Sequence, residues 1–145
     1  MRLLRRFVVG FCCLALAACA DNGGSGGSAV KIAAAPAAQF VTYNDQFAEL
    51  QASGLRGDYA QFARALKAPD PAPVIADLRR SFGGQPFDVY TRRATVNDQT
   101  ARRAVELRST TGRLYLFVEM TRVPGGWIVK DYTLSRKRDA VMTRL

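Results

Sequence analysis

The most reactive side chains in this chain are three cysteines, and all of them lie within the first 19 residues. A cysteine thiolate is a strong nucleophile and a metal ligand, so Cys12, Cys13 and Cys19 are the first candidates for covalent chemistry. The rest of the chain has no cysteine, and the whole chain has no histidine. This composition argues against disulfides, zinc hydrolases, haem proteins and histidine-based catalytic triads in the remaining residues.

The residues before Cys19 have the layout of a secretory signal. Residues 1–6 contain three arginines and no acidic residue, and residues 7–16 are apolar or small throughout. A ten-residue apolar run is too short to span a bilayer core of about 30 Å as a helix. The alternative is a helix buried in the domain, but the polar, glycine-rich sequence that follows would detach it from a core.

The run from Leu16 to Cys19 resembles a bacterial lipobox, in which an aliphatic and two small residues precede the lipidated cysteine. The resemblance implies cleavage between Ala18 and Cys19 and a thioether-linked diacylglycerol on the Cys19 sulfur. Each buried methylene of an acyl chain such as palmitate contributes about 0.8 kcal/mol, which would hold the protein on membrane lipid. Ala20 follows the cysteine, a pattern closer to outer-membrane than to inner-membrane lipoproteins. We therefore expect a lipid-anchored protein of the cell envelope that faces the periplasm.

A tyrosine beside a carboxylate can polarise a carbonyl group, and the C-terminal half contains such pairs. Asp131 and Tyr132 are adjacent, so a strand would point them to opposite faces and away from a common substrate. Tyr115 and Glu119 would share a face, but polar contacts of this kind are common between strands. The sequence has no nucleotide-binding loop, serine nucleophile motif or calcium-ligand spacing, so we assign no catalytic residue, cofactor or metal site.

Positive charge is concentrated in the C-terminal half. The chain has a formal charge of +9, and residues 91–145 contain twelve basic and five acidic residues. The arginines that would share a surface, if the predicted hairpins are in register, are Arg92, Arg102, Arg108 and Arg122. Arginine binds phosphate or carboxylate through paired hydrogen bonds, so this surface predicts an acidic partner. The alternative is a solvated basic face without a partner.

The secondary-structure elements that position these groups are predicted to be helices up to residue 84 and strands after residue 85. Apolar residues at three- and four-residue steps predict amphipathic helices over residues 40–54, 58–69 and 70–84. Asp58 and Asp70 are the predicted N-caps of the second and third helices, and Pro71 suits a first helical position. The expected ends of the three helices are Ser53-Gly54, Pro69 and Gly83-Gly84.

After residue 85 the apolar period changes to two and predicts strands over residues 87–96, 101–109, 114–123 and 127–135. The short breaks between them force antiparallel neighbours and hence a four-stranded meander. One face of the third strand is wholly apolar and is expected to meet the helices. The opposite face is solvated or lines a pocket, and its candidate pocket residues are Tyr115, Phe117 and Glu119. We predict an α+β fold with about three N-terminal helices on one face of the sheet.

The last strand resembles a short motif of small cystatin-like and nuclear transport factor 2-like domains, Gly-Trp-x-[Val/Ile]-x-Asp-[Tyr/Phe]. The matching residues are Gly126, Trp127, Val129, Asp131 and Tyr132. The resemblance covers about residues 39–135 and implies a cystatin-like or cone-like domain, some members of which bind ligands or act as enzymes. The chain lacks an obvious helix between early strands, which implies a shallow or absent pocket.

We divide the chain into a signal peptide (residues 1–18), a flexible Gly/Ser/Ala tether (19–38) and one α+β domain (39–145). The favoured function is non-catalytic docking of an acidic envelope polymer or protein through the basic sheet. One alternative is a small-ligand-binding or enzymatic domain that uses the concave sheet face. Another is an accessory scaffold of a secretion or envelope assembly. The compartment argues against nucleic acid, and the sequence predicts no oligomeric state.

Overall fold

The computed structural model describes residues 40–145, which form three helices, four strands and a short C-terminal helix. The elements are α1 (Tyr43–Arg56), α2 (Tyr59–Ala65), α3 (Pro71–Phe82), β1 (Asp88–Val96), β2 (Thr100–Arg108), β3 (Arg113–Val123), β4 (Gly126–Ser135) and α4 (Asp139–Met142). The predicted signal peptide, the lipidated Cys19 and the tether lie outside the described residues. No helix among residues 40–145 is long and apolar enough to cross a membrane.

Helix α1 begins at a capping box and extends beyond its predicted end. The Thr42 hydroxyl accepts a hydrogen bond from the Asp45 N–H at 3.2 Å, and the Asp45 carboxylate accepts one from the Thr42 N–H at 2.7 Å. The helix continues to a left-handed Gly57. The predicted end at Gly54 is wrong because this glycine serves tertiary packing. A Cβ there would lie 2.8 Å from the Phe87 ring.

The start of the described chain also differs from the prediction. Phe40 was expected on the first helix, but it forms an isolated antiparallel bridge with Trp127 of β4, through backbone hydrogen bonds of 3.2 and 2.8 Å. Both side chains are buried in the core. The extended conformation of the Thr42 cap separates Phe40 from the helix that follows.

The caps of the next two helices are those predicted from sequence. Asp58 caps α2 by accepting a hydrogen bond from the Gln61 N–H. Asp70 caps α3 by accepting a hydrogen bond from the Ala72 N–H. Each carboxylate satisfies an N–H that has no partner within its helix. The third helix ends at Gly83 in the left-handed conformation, as expected of a glycine C-cap.

The sheet is an antiparallel meander in the order β1-β2-β3-β4, and α1 to α3 cover one of its faces. The largest buried side chains between these layers include Leu50, Phe62, Leu66, Leu78, Phe82, Phe87, Val105, Leu107, Leu114 and Leu116. Their burial is the main source of stability in such a two-layer fold. The predicted α+β class, with three helices on one face of four antiparallel strands, is confirmed.

The opposite face of the sheet carries α4, an element that the sequence analysis did not predict. Val141 of α4 is fully buried and packs with Ala104 and Phe117 in a second, smaller apolar cluster. Arg144 fastens the segment: it donates a hydrogen bond to the Asp131 carboxylate, and its guanidinium lies 4.8 Å from the centre of the Phe117 ring. The domain therefore has apolar contacts on both faces of the sheet.

Replacing Gly54 with alanine is expected to destabilise the domain by about 1–3 kcal/mol, because the added methyl overlaps the Phe87 ring and its carbonyl oxygen. In a helix interior without such a contact, the same change stabilises by about 0.5–1 kcal/mol. Urea unfolding followed by circular dichroism measures the effect. The control is Gln51→Ala at an exposed position of α1, expected within about 0.5 kcal/mol of wild type. A Gly54→Ala protein as stable as wild type would contradict this packing.

Candidate functional site

The face of the sheet that carries α4, called here the outer face, holds the polar side chains that the sequence analysis singled out. The register places side chains on it in lateral pairs: Glu106 with Tyr115, Ala104 with Phe117, and Arg102 with Glu119. An apolar pair thus lies between two pairs that each contain a glutamate. Both glutamates are on the two central strands, where neighbours on either side reduce their exposure.

Glu106 is 2% exposed and is held between two arginines. Arg92 donates from Nε to Oε2 at 2.6 Å, and a second nitrogen of the same guanidinium also contacts that oxygen. Arg113 places its Nε 2.8 Å from Oε1. That oxygen accepts no hydrogen bond of good geometry from the described residues, so the Arg113 contact is one of charge. Arg92 sits at a β-bulge, which directs its side chain toward the neighbouring strand.

Glu119 is 8% exposed and forms the second charge cluster of the outer face. Arg102 donates to Oε2 at 2.7 Å, and the Lys130 ammonium lies 2.8 Å from Oε1. A bulge in the pairing of β3 with β4 inserts Lys130 beside this carboxylate. The hydrogen bond from Lys130 holds the pKa of Glu119 below its ordinary value, against the opposing effect of burial, and Arg102 acts in the same direction.

The adjacent Asp131 and Tyr132 lie on opposite sides of the sheet. Asp131 binds Arg144 on the outer face, whereas Tyr132 packs against the helix-side core. Burial raises the pKa of Tyr132, and the nearby Asp70 and Asp131 add to the rise. The two groups therefore do not act as one acid–base pair. Within residues 40–145, no three histidine, cysteine, aspartate or glutamate side chains are grouped as a metal site requires.

The predicted pocket residues Tyr115, Phe117 and Glu119 share the outer face, but they do not line an open pocket. Phe117 is 1% exposed because α4 covers it, and Glu119 is engaged by its two cations. The sequence left open whether this face is solvated or a cleft. The structure fills it with Val141 and its neighbours in the C-terminal segment.

Two of the four arginines predicted to bind an acidic partner are used within the domain. Arg92 neutralises Glu106, and Arg102 neutralises Glu119, although each guanidinium stays about half exposed. Each glutamate also contacts a second cation, Arg113 or Lys130, so each cluster keeps one net positive charge. Binding of an acidic partner by these residues stays a prediction.

The other two arginines lie in different surroundings. Arg108 stacks 4.7 Å from the centre of the Tyr90 ring and donates to its hydroxyl at 3.3 Å. Arg122 is paired with Trp127, and strand alternation places it on the helix side of the sheet. Arg92, Arg102 and Arg108 therefore share the outer face, and Arg122 does not, so the four arginines do not form the one surface that the sequence analysis expects.

Sequence analysis missed the roles of several other cations. Arg103 lies 4.2 Å from the centre of the Phe47 ring, donates to Asn44 at 2.9 Å, and has its pKa lowered by burial. From the sequence, Lys130 and Arg113 contribute only to the excess of positive charge in residues 91–145, and their pairing with Glu119 and Glu106 is not predicted. A signal was present: a glutamate on a central strand needs cationic neighbours, and cross-strand partners of Glu106 and Glu119 could have been sought.

Comparison with known proteins adds one structural similarity. No protein-family model matches the chain, and no curated protein matches it. The chain is similar to an NTF-2-like protein of unknown function from Silicibacter pomeroyi DSS-3, with 14% sequence identity and a TM-score of 0.42. The match covers 63% of this chain and 91% of that one. At this level the similarity assigns neither a residue nor a function.

Replacing Glu119 with glutamine is expected to destabilise the protein at pH 7 by about 1–3 kcal/mol, because a hydrogen-bonded charge is lost. The folded pKa of Glu119 lies below that of an unfolded glutamate, about 4.3. Its stabilisation is thus complete above that pH and is lost as the pH falls through the lower, folded value. The difference between wild type and variant should be constant from pH 7 to 5 and shrink toward pH 3.

Urea unfolding at each pH measures this difference. Asp98→Asn, which changes an exposed carboxylate in the β1–β2 turn, is the control and is expected to have little effect at any of these pH values. A difference for Glu119→Gln that persists undiminished to pH 3 would show that the carboxylate charge is not the stabilising feature.

Proposed function

We propose that the protein is a lipoprotein of the cell envelope, anchored through acylated Cys19, whose domain binds an anionic envelope component without catalysing a reaction. The anchor is supported by the basic start, the apolar run of residues 7–16 and the lipobox-like residues up to Cys19. Residues 19–38 would act as a tether, since a Gly/Ser-rich coil of this length reaches about 25 Å. The partner would carry phosphate or carboxylate groups.

The strongest support for anion binding is a cluster of cations at one end of the domain, called here the basic end. Its cationic residues are Arg80, Arg113 and Arg136, together with Lys137 and Arg138, which follow Arg136 in the chain. They meet because the β2–β3 turn presses on the end of α3: a Cβ on Gly112 would lie 2.3 Å from the Ser81 carbonyl oxygen. The segment after β4 reaches the same place, with Arg136 Nη2 3.5 Å from Ser81 Oγ.

The basic end suits an anionic partner better than the outer face does. On the outer face, Glu106 and Glu119 are buried and each neutralises one of the two cations beside it. Residues 136–138, by contrast, are three consecutive exposed cations. Exposed charge of one sign attracts an oppositely charged partner over roughly a Debye length, about 10 Å at 0.1 M salt.

Binding of a small ligand is the second candidate function, and an open groove of about 440 Å³ favours it. Leu55 and Phe87 contribute apolar surface to this groove, and Asp88 and Arg108 contribute charged groups. The volume falls within the range of about 300–1,000 Å³ that is typical of small-molecule sites. Binding by this groove would depend less on salt than binding at the basic end, which distinguishes the two candidates.

Replacing Cys19 with alanine is expected to release the protein from the membrane fraction, because the acyl chains have no sulfur to join. Cys13→Ala changes a thiol in the part predicted to be removed and is the matched control, expected to stay membrane-bound. Cell fractionation with immunoblotting measures the distribution. Unchanged membrane retention of Cys19→Ala would refute the anchor, as would an intact mass that matches an unmodified chain starting at Met1.

Binding to soluble polyphosphate is expected to weaken about 10- to 40-fold between 50 and 300 mM NaCl, as for a contact that neutralises two or three phosphates. The Debye length changes roughly 2.5-fold over this range. Fluorescence anisotropy of labelled polyphosphate, with the full chain in neutral detergent, measures the affinity, and neutral dextran is the control polymer. Equal affinity at both salt concentrations would contradict binding by the basic end.

A further inference from the structure

We infer that the basic end contains a defined site for a phosphate group, in a groove between the end of α3, the β2–β3 turn and the segment after β4. The groove has a volume of about 280 Å³. It is lined by Arg80, Ser81, Thr111, Gly112, Arg113 and Arg136, and is called here the three-arginine groove. The inference rests on the proposed function, which requires an anionic partner but does not specify where a phosphate would bind.

Arg113 lines the groove and is also paired with a buried carboxylate. Its Nε lies 2.8 Å from Glu106 Oε1, while Arg92 binds the other oxygen of Glu106. A guanidinium has five N–H donors, so contacts with Glu106 and with the Tyr115 hydroxyl still leave donors of Arg113 for a ligand. The Arg113 side chain is 54% exposed and can therefore be reached from solution.

Arg80 enters the groove from the last turn of α3. It pairs with Asp77 at 3.1 Å, across one helical turn. Both side chains are about half exposed or more, and an exposed pair of this kind contributes little, about 0–1 kcal/mol. A doubly charged phosphate would therefore compete well with the Asp77 carboxylate for this guanidinium.

Arg136 approaches from the opposite side, just after β4. Its Nη2 lies 3.5 Å from Ser81 Oγ, which is too long for a strong hydrogen bond. The guanidinium is thus placed at the groove while its donors remain available. The three arginines come from three separate elements of the fold, so their convergence is a tertiary arrangement rather than a run of neighbouring charges.

The wall of the groove between the arginines is formed by Gly112 and by the hydroxyl-bearing residues Ser81 and Thr111. Gly112 lets the turn approach the Ser81 backbone more closely than any residue with a Cβ could. Thr111 is held by its neighbour Ser109, with hydroxyl oxygens 2.9 Å apart and a hydrogen bond from the Thr111 N–H. Guanidinium and hydroxyl donors around one concavity match the several acceptor oxygens of a tetrahedral phosphate.

The test titrates the full chain, in neutral detergent at low salt, with inorganic phosphate and separately with glycerol phosphate. Isothermal calorimetry reports the affinity for each probe. Arg136→Gln is expected to weaken the affinity at least about tenfold, because one of the three converging charges is lost. Arg56→Gln and Arg64→Gln remove the same charge from exposed positions of α1 and α2, away from the basic end. Both controls are expected within about twofold of wild type.

Equal weakening by Arg136→Gln and by the two control substitutions would overturn the site, because it would indicate a diffuse effect of charge. Absence of binding for both probes would also overturn it. Tighter binding of glycerol phosphate than of inorganic phosphate supports the site with an esterified phosphate as ligand, and the reverse supports it with the free ion. If the site fails while polyphosphate binding remains salt-dependent, the proposed function still holds. If salt-dependent polyphosphate binding is itself absent, the proposed function fails.

Discussion

A carboxylate that is buried on a sheet must be paired with cations, and this requirement arranges the outer face. Glu106 and Glu119 lie on the two central strands, and each is placed between two basic side chains. Loss of both partners would leave a buried charge uncompensated, which is far costlier than loss of an exposed ion pair. Two β-bulges place Arg92 and Lys130 for this purpose, so the irregularities of the sheet follow from its charge balance.

Local sequence predicted the features whose causes are local. Asp58 and Asp70 were recognised as caps because a helix N-terminus needs an acceptor within a few residues of the chain. Gly54 was misread as a helix end because its role is set by Phe87, far along the chain. Helix α4 was missed because it has only four residues and no side-chain cap, so its stability comes from the burial of Val141.

The candidate site was also predictable only where its causes are local in the sequence. Strand alternation alone places Tyr115, Phe117 and Glu119 on one face, but only the tertiary structure shows that the C-terminal segment packs on Tyr115 and Phe117. The same alternation places Arg122 on the face opposite to Glu119, the cross-strand neighbour of Arg102. Applied to the charged residues, it separates Arg122 from Arg102. A count of arginines indicates an electropositive surface, whereas the partners of each arginine decide where uncompensated charge remains.

Glu106 couples the outer face to the three-arginine groove. One of its oxygens is held by Arg92 on β1, and the other lies against Arg113 at the start of β3. The carboxylate reduces the net charge that Arg113 brings to the groove, but it also fixes the guanidinium, which lowers the entropy cost of binding an anion. Because Glu106 is buried, loss of its contact with Arg92 would strengthen the electrostatic attraction between Glu106 and Arg113. Affinity in the groove would then depend on contacts made across the neighbouring strands.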